Sequence, residues 1–573
     1  WNLKPSEPAA FAAGKLTTPE RPIVFYVDDT FPAGWYDAIR RGLLSWNAAF
    51  EKIGYRDAVQ VRPYPRDDAS FDPNDIKFSC VKYANTMGES LSSSARIDPR
   101  SGEILSATIC IPHNVTSRIR TDLFVQLGAA DPDARRVKMS PELFGKALTA
   151  DVARHTGACL GLAVNYAGSY CVPVDSLRSP SFTQRYGISA SIMDELPYNL
   201  VAQPGDKERG VALMQQGPGV YDEYVVDWLY RPVPGAATPE DEVAELDRRI
   251  AARRSDPMCL YTPPPVAVAL DPRSMPYNLG DDPVRAAAYE FANYAYVMKH
   301  ADEWIGEEDA DYTFRSLVQA SVMNQLYYAF VSVSANLGGV YLNEKYEGDA
   351  LPTYLSVPRD LQRRALRFML ERLEDMSWLD NERLNKDVVE VVSLGEYCRD
   401  MLSDVIFKSL STLDLSASKS DDPYTQDDAM DDLYRYILRD VAVGRESTEA
   451  NIAMQHLLLI NVIRNAGVVT QTRRSAASAS AFAGEALPDA AALSRLAKMA
   501  RVFPEMASDP VSGVLPMRSV AFLVRPAVDY KRYGMLLDMK KLYRNALGTS
   551  ASERMKNHYR YMLLAIDRAL KVD

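Results

Sequence analysis

The chain has 573 residues, 47% of them apolar and 25% charged, the balance of a folded protein rather than a disordered or fibrous one. Lys and Arg number 65 against 76 Asp and Glu; the resulting net charge of −11 argues against a nucleic-acid surface, which needs clustered positive charge. The length exceeds what one core fills, so two or three domains are expected, and no run approaches the roughly 18 apolar residues of a membrane helix.

The chain opens at Trp1 with no initiator Met and no signal peptide, and reads as a processed or trimmed piece. Its six cysteines are too few for a disulfide framework. Cys80 and Cys110 lie in two strand-like runs and could face each other, which leaves one disulfide there open.

Residues 22–29 are β-branched and aromatic and end at Phe31-Pro-Ala-Gly34, a strand followed by a turn. Trp35, Ile39, Leu43, Trp46, Phe50 and Ile53 then recur at helical spacing as far as Gly54, a C-terminal stop. Val59–Pro65, Ile76–Ala84 and Glu103–Ile111 are further strands, with the Ser- and Gly-rich stretch 85–96 expected as an exposed loop. Helices are expected over 120–130 and 141–160, and a short closing helix over Tyr221–Tyr230.

Residues 231–285 are Pro-rich, with one charged helix at Glu240–Arg254, and read as a linker. Beyond them the periodicity predicts helices over 286–301, 312–336, 358–375, 386–411, 427–442, 447–465, 489–503 and 549–570. Ser475–Ala483 is a low-complexity Ser/Ala stretch expected as a loop. The expected division is therefore a domain over 1–232, a linker over 233–285 and an all-α domain over 286–573.

The stretch around Arg154-His-Thr-Gly-Ala-Cys-Leu-Gly-Leu-Ala-Val-Asn165 has the outline of HExxHxxGxxH, in which two histidines one helical turn apart and a third beyond a glycine hold zinc. With Gly161 on the motif glycine, Arg154 takes the first ligand position, His155 that of the general base, Ala158 the second ligand and Val164 the third. A guanidinium offers no lone pair, and Ala158 and Val164 carry no donor atom. Downstream, Ser191-Ile-Met-Asp194 has the form of the methionine turn that metzincins place beneath their metal, with Met193 as its methionine.

With these stretches in view, the chain resembles the zinc-dependent metalloproteases of Bacteroidota cell envelopes, metzincin-like proteins known mainly through domains of unknown function. The resemblance is carried by Trp1-Asn-Leu-Lys-Pro5, Pro22-Ile-Val-Phe-Tyr26, Trp46-Asn-Ala-Ala-Phe50, Asp98-Pro-Arg-Ser-Gly-Glu-Ile-Leu105 and Pro173-Val-Asp-Ser-Leu-Arg-Ser-Pro180. Ser191–Asp194, Tyr198–Asp206, Leu279-Gly-Asp-Asp-Pro-Val284 and Gly338-Gly-Val-Tyr-Leu-Asn343 extend it through most of the chain, in order. Members carry HEVGHTLGLxHN; here Gly157, Leu160, Gly161, Leu162 and Asn165 match, and every metal and base position departs. The resemblance implies an α+β fold, with a metzincin-like first domain of small mixed sheet and helices, and an all-α domain after it. It also implies a Gram-negative envelope location, in the periplasm or at the outer-membrane surface, and a lipid anchor on the full-length form.

The five histidines are His113, His155, His300, His456 and His558, and no two stand one helical turn apart. A rebuilt site would need His155, Cys159 at i,i+4 and a third ligand such as Cys171, on a face about 100° from the original one. The plainer reading is a half-buried histidine beside a small apolar cysteine. His456, on an apolar helix, is expected to be a satisfied core group. The expectation is thus a pseudoprotease with no cofactor, acting as a binding or assembly subunit among other envelope proteins in an outer-membrane complex. The cleft would take peptide segments as an extended strand, and Asn165, Asp194, Glu195 and His113 are its candidate residues. Asp194 or Glu195 is expected to pair with Arg154, which could alternatively hold a peptide's carboxylate. A purely structural subunit and an active zinc metallopeptidase with altered ligands are the alternatives.

Overall fold

Ile23, Phe25 and Val27 alternate with Val24 and Tyr26, and the first set is fully buried, the period-two pattern of a strand packed on one face. In the computed structural model, which describes residues 1–264, 270–343, 345, 352–384, 393–466, 530–550 and 552–570, this strand, β1 (Ile23–Val27), joins a five-stranded sheet. Its partners are β2 (Val59–Pro63), β3 (Ser79–Ala84), β4 (Ser92–Ile97) and β5 (Ile104–Pro112), in the order β2-β1-β3-β5-β4. The pairs are parallel except the last, where β4 runs antiparallel to β5 with Ser93 opposite Ile109.

The strand β4 corrects the expected loop over 85–96. Its residues, Ser-Ser-Ser-Ala-Arg-Ile, carry no apolar alternation because it is an edge paired on one side only. The pairing also disposes of the disulfide. Cys80 lies opposite Thr108 and Cys110 opposite Lys82, a diagonal rather than a facing pair, and both thiols are free.

Helix α1 (Trp35–Leu44) buries Trp35, Ala38, Ile39 and Leu43 and stops earlier than its periodicity predicts. The Ser45 hydroxyl takes the Gly42 carbonyl at 2.7 Å, and the chain restarts as α2 (Asn47–Lys52) before Gly54 at φ +99°. Helix α3 (Val115–Asp122) runs into a π-helical turn, Leu123–Leu127, so the helix expected over 120–130 begins earlier. Helix α4 (Pro141–Cys159) carries Arg154, His155 and Ala158 and lies along α1. A Cβ on Gly42 would stand 2.7 Å from the Thr149 carbonyl oxygen, so only glycine permits this approach. Helices α5 (Val220–Tyr230), α6 (Pro239–Arg253), α7 (Pro283–Ile305) and α8 (Thr313–Ser334) follow.

The chain forms two compact units, Trp1–Tyr354 with Trp378–Val389, and Leu355–Ser377 with Glu390–Asp573. This division differs from the one expected at 232 and 285, because α6, α7 and α8 belong to the first unit. Asn293 of α7 shows why: its amide donates to the carbonyls of Leu200 and Ala202, both at 2.9 Å. The second unit is helical: α9 (Arg359–Glu374), α10 (Leu394–Ser409), α11 (Gln426–Ile437), α12 (Glu449–Asn465), α13 (Tyr530–Thr549) and α14 (Glu553–Leu570). Five of these lie where helices were expected. Helix α13 was not expected; Gly534 and Gly548 interrupt its pattern. The expected helix 489–503 and the loop Ser475–Ala483 lie outside the described residues. Among those described, no helix is long and apolar enough to cross a membrane.

Candidate functional site

Helix α4 is fixed at both ends. At its start the Ser140 hydroxyl accepts from the Leu143 N–H at 3.1 Å, with Pro141 in the first turn. At its end the Leu162 N–H returns to the Gly157 carbonyl at 3.0 Å, and Gly161 takes φ +92°, the left-handed turn that stops a helix. The Trp1 indole donates to the Cys159 carbonyl at 2.9 Å and the Tyr230 hydroxyl to that of Leu160 at 2.5 Å. Gly161 therefore turns the chain where the motif requires it.

Beneath the helix lies Met193. A Cβ on Gly157 would stand 2.4 Å from the Met193 sulfur and 2.5 Å from the Trp46 ring, so the glycine lets the turn and the helix touch. The Trp46 indole also donates to the Ala153 carbonyl at 2.8 Å. Asp222, at the start of α5, ties the turn down: its carboxylate accepts from the Ser191 hydroxyl (2.6 Å), the Ile192 N–H (2.7 Å) and the Gly219 N–H (2.7 Å). Burial pushes its carboxyl up to about 7.

Asp151, Arg154, His155 and Ala158 fall on helical spacing along one stretch of α4. The Arg154 guanidinium lies 3.2 Å from Nε2 of His155, and Nδ1 of His155 lies 2.9 Å from the Ser93 hydroxyl on β4. A guanidinium only donates, so Nε2 is the accepting nitrogen and the ring's proton sits on Nδ1, given to Ser93. Burial first, then the Arg154 and Arg118 charges, hold His155 well below the usual imidazole range. It is a neutral ring with both nitrogens engaged.

Of the two carboxylates expected near Arg154, only Glu195 pairs with it, at 3.9 Å, while its other oxygen accepts from the Tyr166 hydroxyl at 2.8 Å. Asp194 turns inward instead. One oxygen takes the Ser169 N–H at 2.8 Å, the other has no hydrogen-bond partner among the described residues, and burial pushes the carboxyl up to about 8. Asn165 is likewise no cleft residue. It is fully buried, its amide donating to the Leu260 carbonyl and its oxygen accepting from the N–H groups of Thr262 and Ala167. His113 is exposed at the end of β5, its ring stacked on Trp35 and bonded to the Tyr83 hydroxyl at 2.7 Å.

Arg118 of α3 completes the cluster. It holds Asp151, Asp122 at 3.1 Å and the Glu89 carbonyl at 3.2 Å. Burial raises the Asp122 carboxyl to about 6 against the pull of Arg118. Sequence reasoning missed Arg118, Asp122, Ser93 and Tyr166. Asp151 had a signal, standing three residues before Arg154 on the motif helix.

A zinc ion at the motif positions would meet a guanidinium at Arg154 and the hydrocarbon side chains of Ala158 and Val164, both half-buried. These residues do not fit the metal. Nor do His155, Cys159 and Cys171 assemble a replacement: Cys171 donates to the Gly168 carbonyl, and burial pushes the Cys159 thiol up to about 12. Among the described residues no group of three or more His, Cys, Asp and Glu is placed to hold a metal.

A family model described as Met-zincin matches residues 136–444, more than half of the chain. No curated protein and no solved structure matches the chain.

Proposed function

The chain belongs to the Met-zincin family, and from that premise we propose that it is a non-hydrolytic member, a pseudoprotease that binds rather than cuts. The observation that carries this reading is the hydrogen bond from Arg154 to Nε2 of His155. A metalloprotease needs lone pairs at the ligand positions and a proton acceptor beside the metal-bound water. Here the first ligand position donates to the base position and occupies its lone pair. Two functions are lost in one contact.

A sheet edge beside the site supports the binding role. Among the described residues strand β4 has a sheet neighbour on one side only, and its Ser93 lies against His155. An extended segment can add to such an edge through main-chain hydrogen bonds, a mode that needs no metal. This edge favours a binding role over a purely structural one. We place the protein among other proteins of a Gram-negative cell envelope, in an outer-membrane assembly, on the resemblance noted in the sequence.

Metal analysis of natively purified protein, paired with a peptide-cleavage assay, tests the reading. The expected result is far less than one zinc per chain and no cleavage. Stoichiometric zinc, with cleavage that a chelator abolishes, would overturn it in favour of an active peptidase with altered ligands. Cell fractionation tests the location separately, and recovery in the soluble cytoplasmic fraction would remove it.

A further inference from the structure

The two arginines of the cluster differ in what they leave unused. Each guanidinium nitrogen of Arg118 is engaged, by Asp122, Asp151 or the Glu89 carbonyl. Arg154 has five N–H donors, and among the described residues its guanidinium makes one hydrogen bond, to His155. Its nearest carboxylate, that of Glu195, stands at 3.9 Å, too far for a hydrogen bond, and is drawn aside by Tyr166. The side chain keeps 30% of its surface exposed. It is a half-buried cation with donors to spare, reached from β4 through Ser93 and His155.

The geometry points to a carboxylate-binding site, in which Arg154 holds a carboxylate of a peptide lying along β4 and Glu195 is the internal carboxylate that it displaces. This rests on the peptide-binding reading above and names what that cleft selects. The fork of a guanidinium matches a planar, singly charged carboxylate through two parallel hydrogen bonds. A phosphate dianion would suit the place less well, because Asp122, Asp151 and Glu195 already outnumber the two arginines. The carboxylate has two sources, a peptide's C-terminus or an Asp or Glu side chain, and the test separates them.

The probes are three degenerate octapeptide mixtures with an N-terminal fluorophore. One has free C-termini and no acidic side chains, one is amidated with Asp or Glu at the last position, and one is amidated and free of acids. Anisotropy titrations use the full chain. The expected result is that at least one carboxylate-bearing mixture binds about ten- to a hundredfold tighter than the neutral one. Arg154→Gln is expected to erase that difference. Glu195→Gln, which removes the competing charge, is expected to increase it by about threefold. If Arg154→Gln does not fold, the Glu195→Gln gain and a partial loss in Arg154→Lys report in its place.

Equal binding of all three mixtures, or a preference unchanged when Arg154 is replaced, would overturn the carboxylate site and leave the peptide-binding reading standing. Binding of none of the mixtures would overturn both.

Discussion

The Arg154 guanidinium donates to Nε2 of His155 at 3.2 Å, so it occupies the free lone pair of the imidazole. The pair defines the site electrically: a fixed cation beside an imidazole that cannot take a proton without facing it. Replacing Arg154 with Met should free Nε2 and move the His155 pKa upward, toward but not as far as 6.5, since burial, the larger cause, stays. Imidazole NMR titration of the variant and the parent measures the shift. No movement would mean that the two side chains do not interact in solution.

His155 also sets a sign for acid stability. Its folded pKa is depressed below the unfolded value near 6.5, so its contribution is present above that pH and is lost as pH falls toward the folded pKa. Denaturant unfolding followed from pH 7 to pH 5 should show falling stability, with a smaller loss in His155→Gln.

Asp194 works in the opposite direction. Its folded pKa is raised to about 8 by burial, so the cost of keeping it in the fold grows as pH rises from about 4 to 8. Asp194→Asn keeps the acceptor for the Ser169 N–H and removes the ionisation. It is expected to stabilise by about 1–3 kcal/mol at pH 8 and little at pH 4. Thermal melts at the two pH values decide this, and an equal effect at both would count against a buried protonated acid.

Gly157→Ala should cost about 2–3 kcal/mol, because the added methyl meets the Met193 sulfur and the Trp46 ring at distances no repacking absorbs cheaply. Chemical denaturation reads the loss, and Trp fluorescence reports any displacement of Trp46. A neutral result would mean that the turn and the helix are not in contact.

In the helical unit, the rings of His456 and His558 lie tilted against each other with centres 5.2 Å apart. His558 bonds to Gln455 at 2.9 Å, burial lowers it to about 4, and Nε2 of His456 is buried with no partner among the described residues. His456 is thus not the satisfied core group its setting in the sequence suggests. Stability held by this pair is present above pH 6.5 and lost as pH falls toward 4. Hydrogen exchange along α12 and α14, corrected for intrinsic rates, should show openings that grow more frequent between pH 7 and pH 5, and less so in His558→Gln.

The motif helix, its glycine turn and Met193 were legible because each is a local pattern: helical spacing, a stop residue and a short turn at a fixed order along the chain. Strand β4 was not, because an edge paired through its backbone needs no apolar alternation, and its serines read as loop. Arg118 was invisible for another reason. It meets Asp151 across 33 residues of sequence, and nothing in the composition of α3 foretells that contact. The sequence named both Asp194 and Glu195 as partners for Arg154 but could not choose, since adjacent residues in a turn point apart and only packing decides which turns inward.

The contact of Gly157 with Met193 and Trp46 makes no use of a metal. The backbone around Gly157 is held by sulfur, indole and main-chain hydrogen bonds, so the frame of this helix and turn does not depend on which side chains stand at 154, 155, 158 and 164. That independence can be put to use. Arg154→His, His155→Glu, Ala158→His and Val164→His together would place donors on a helix and turn already in position, and zinc uptake by that variant would measure how far the frame alone prepares a metal site.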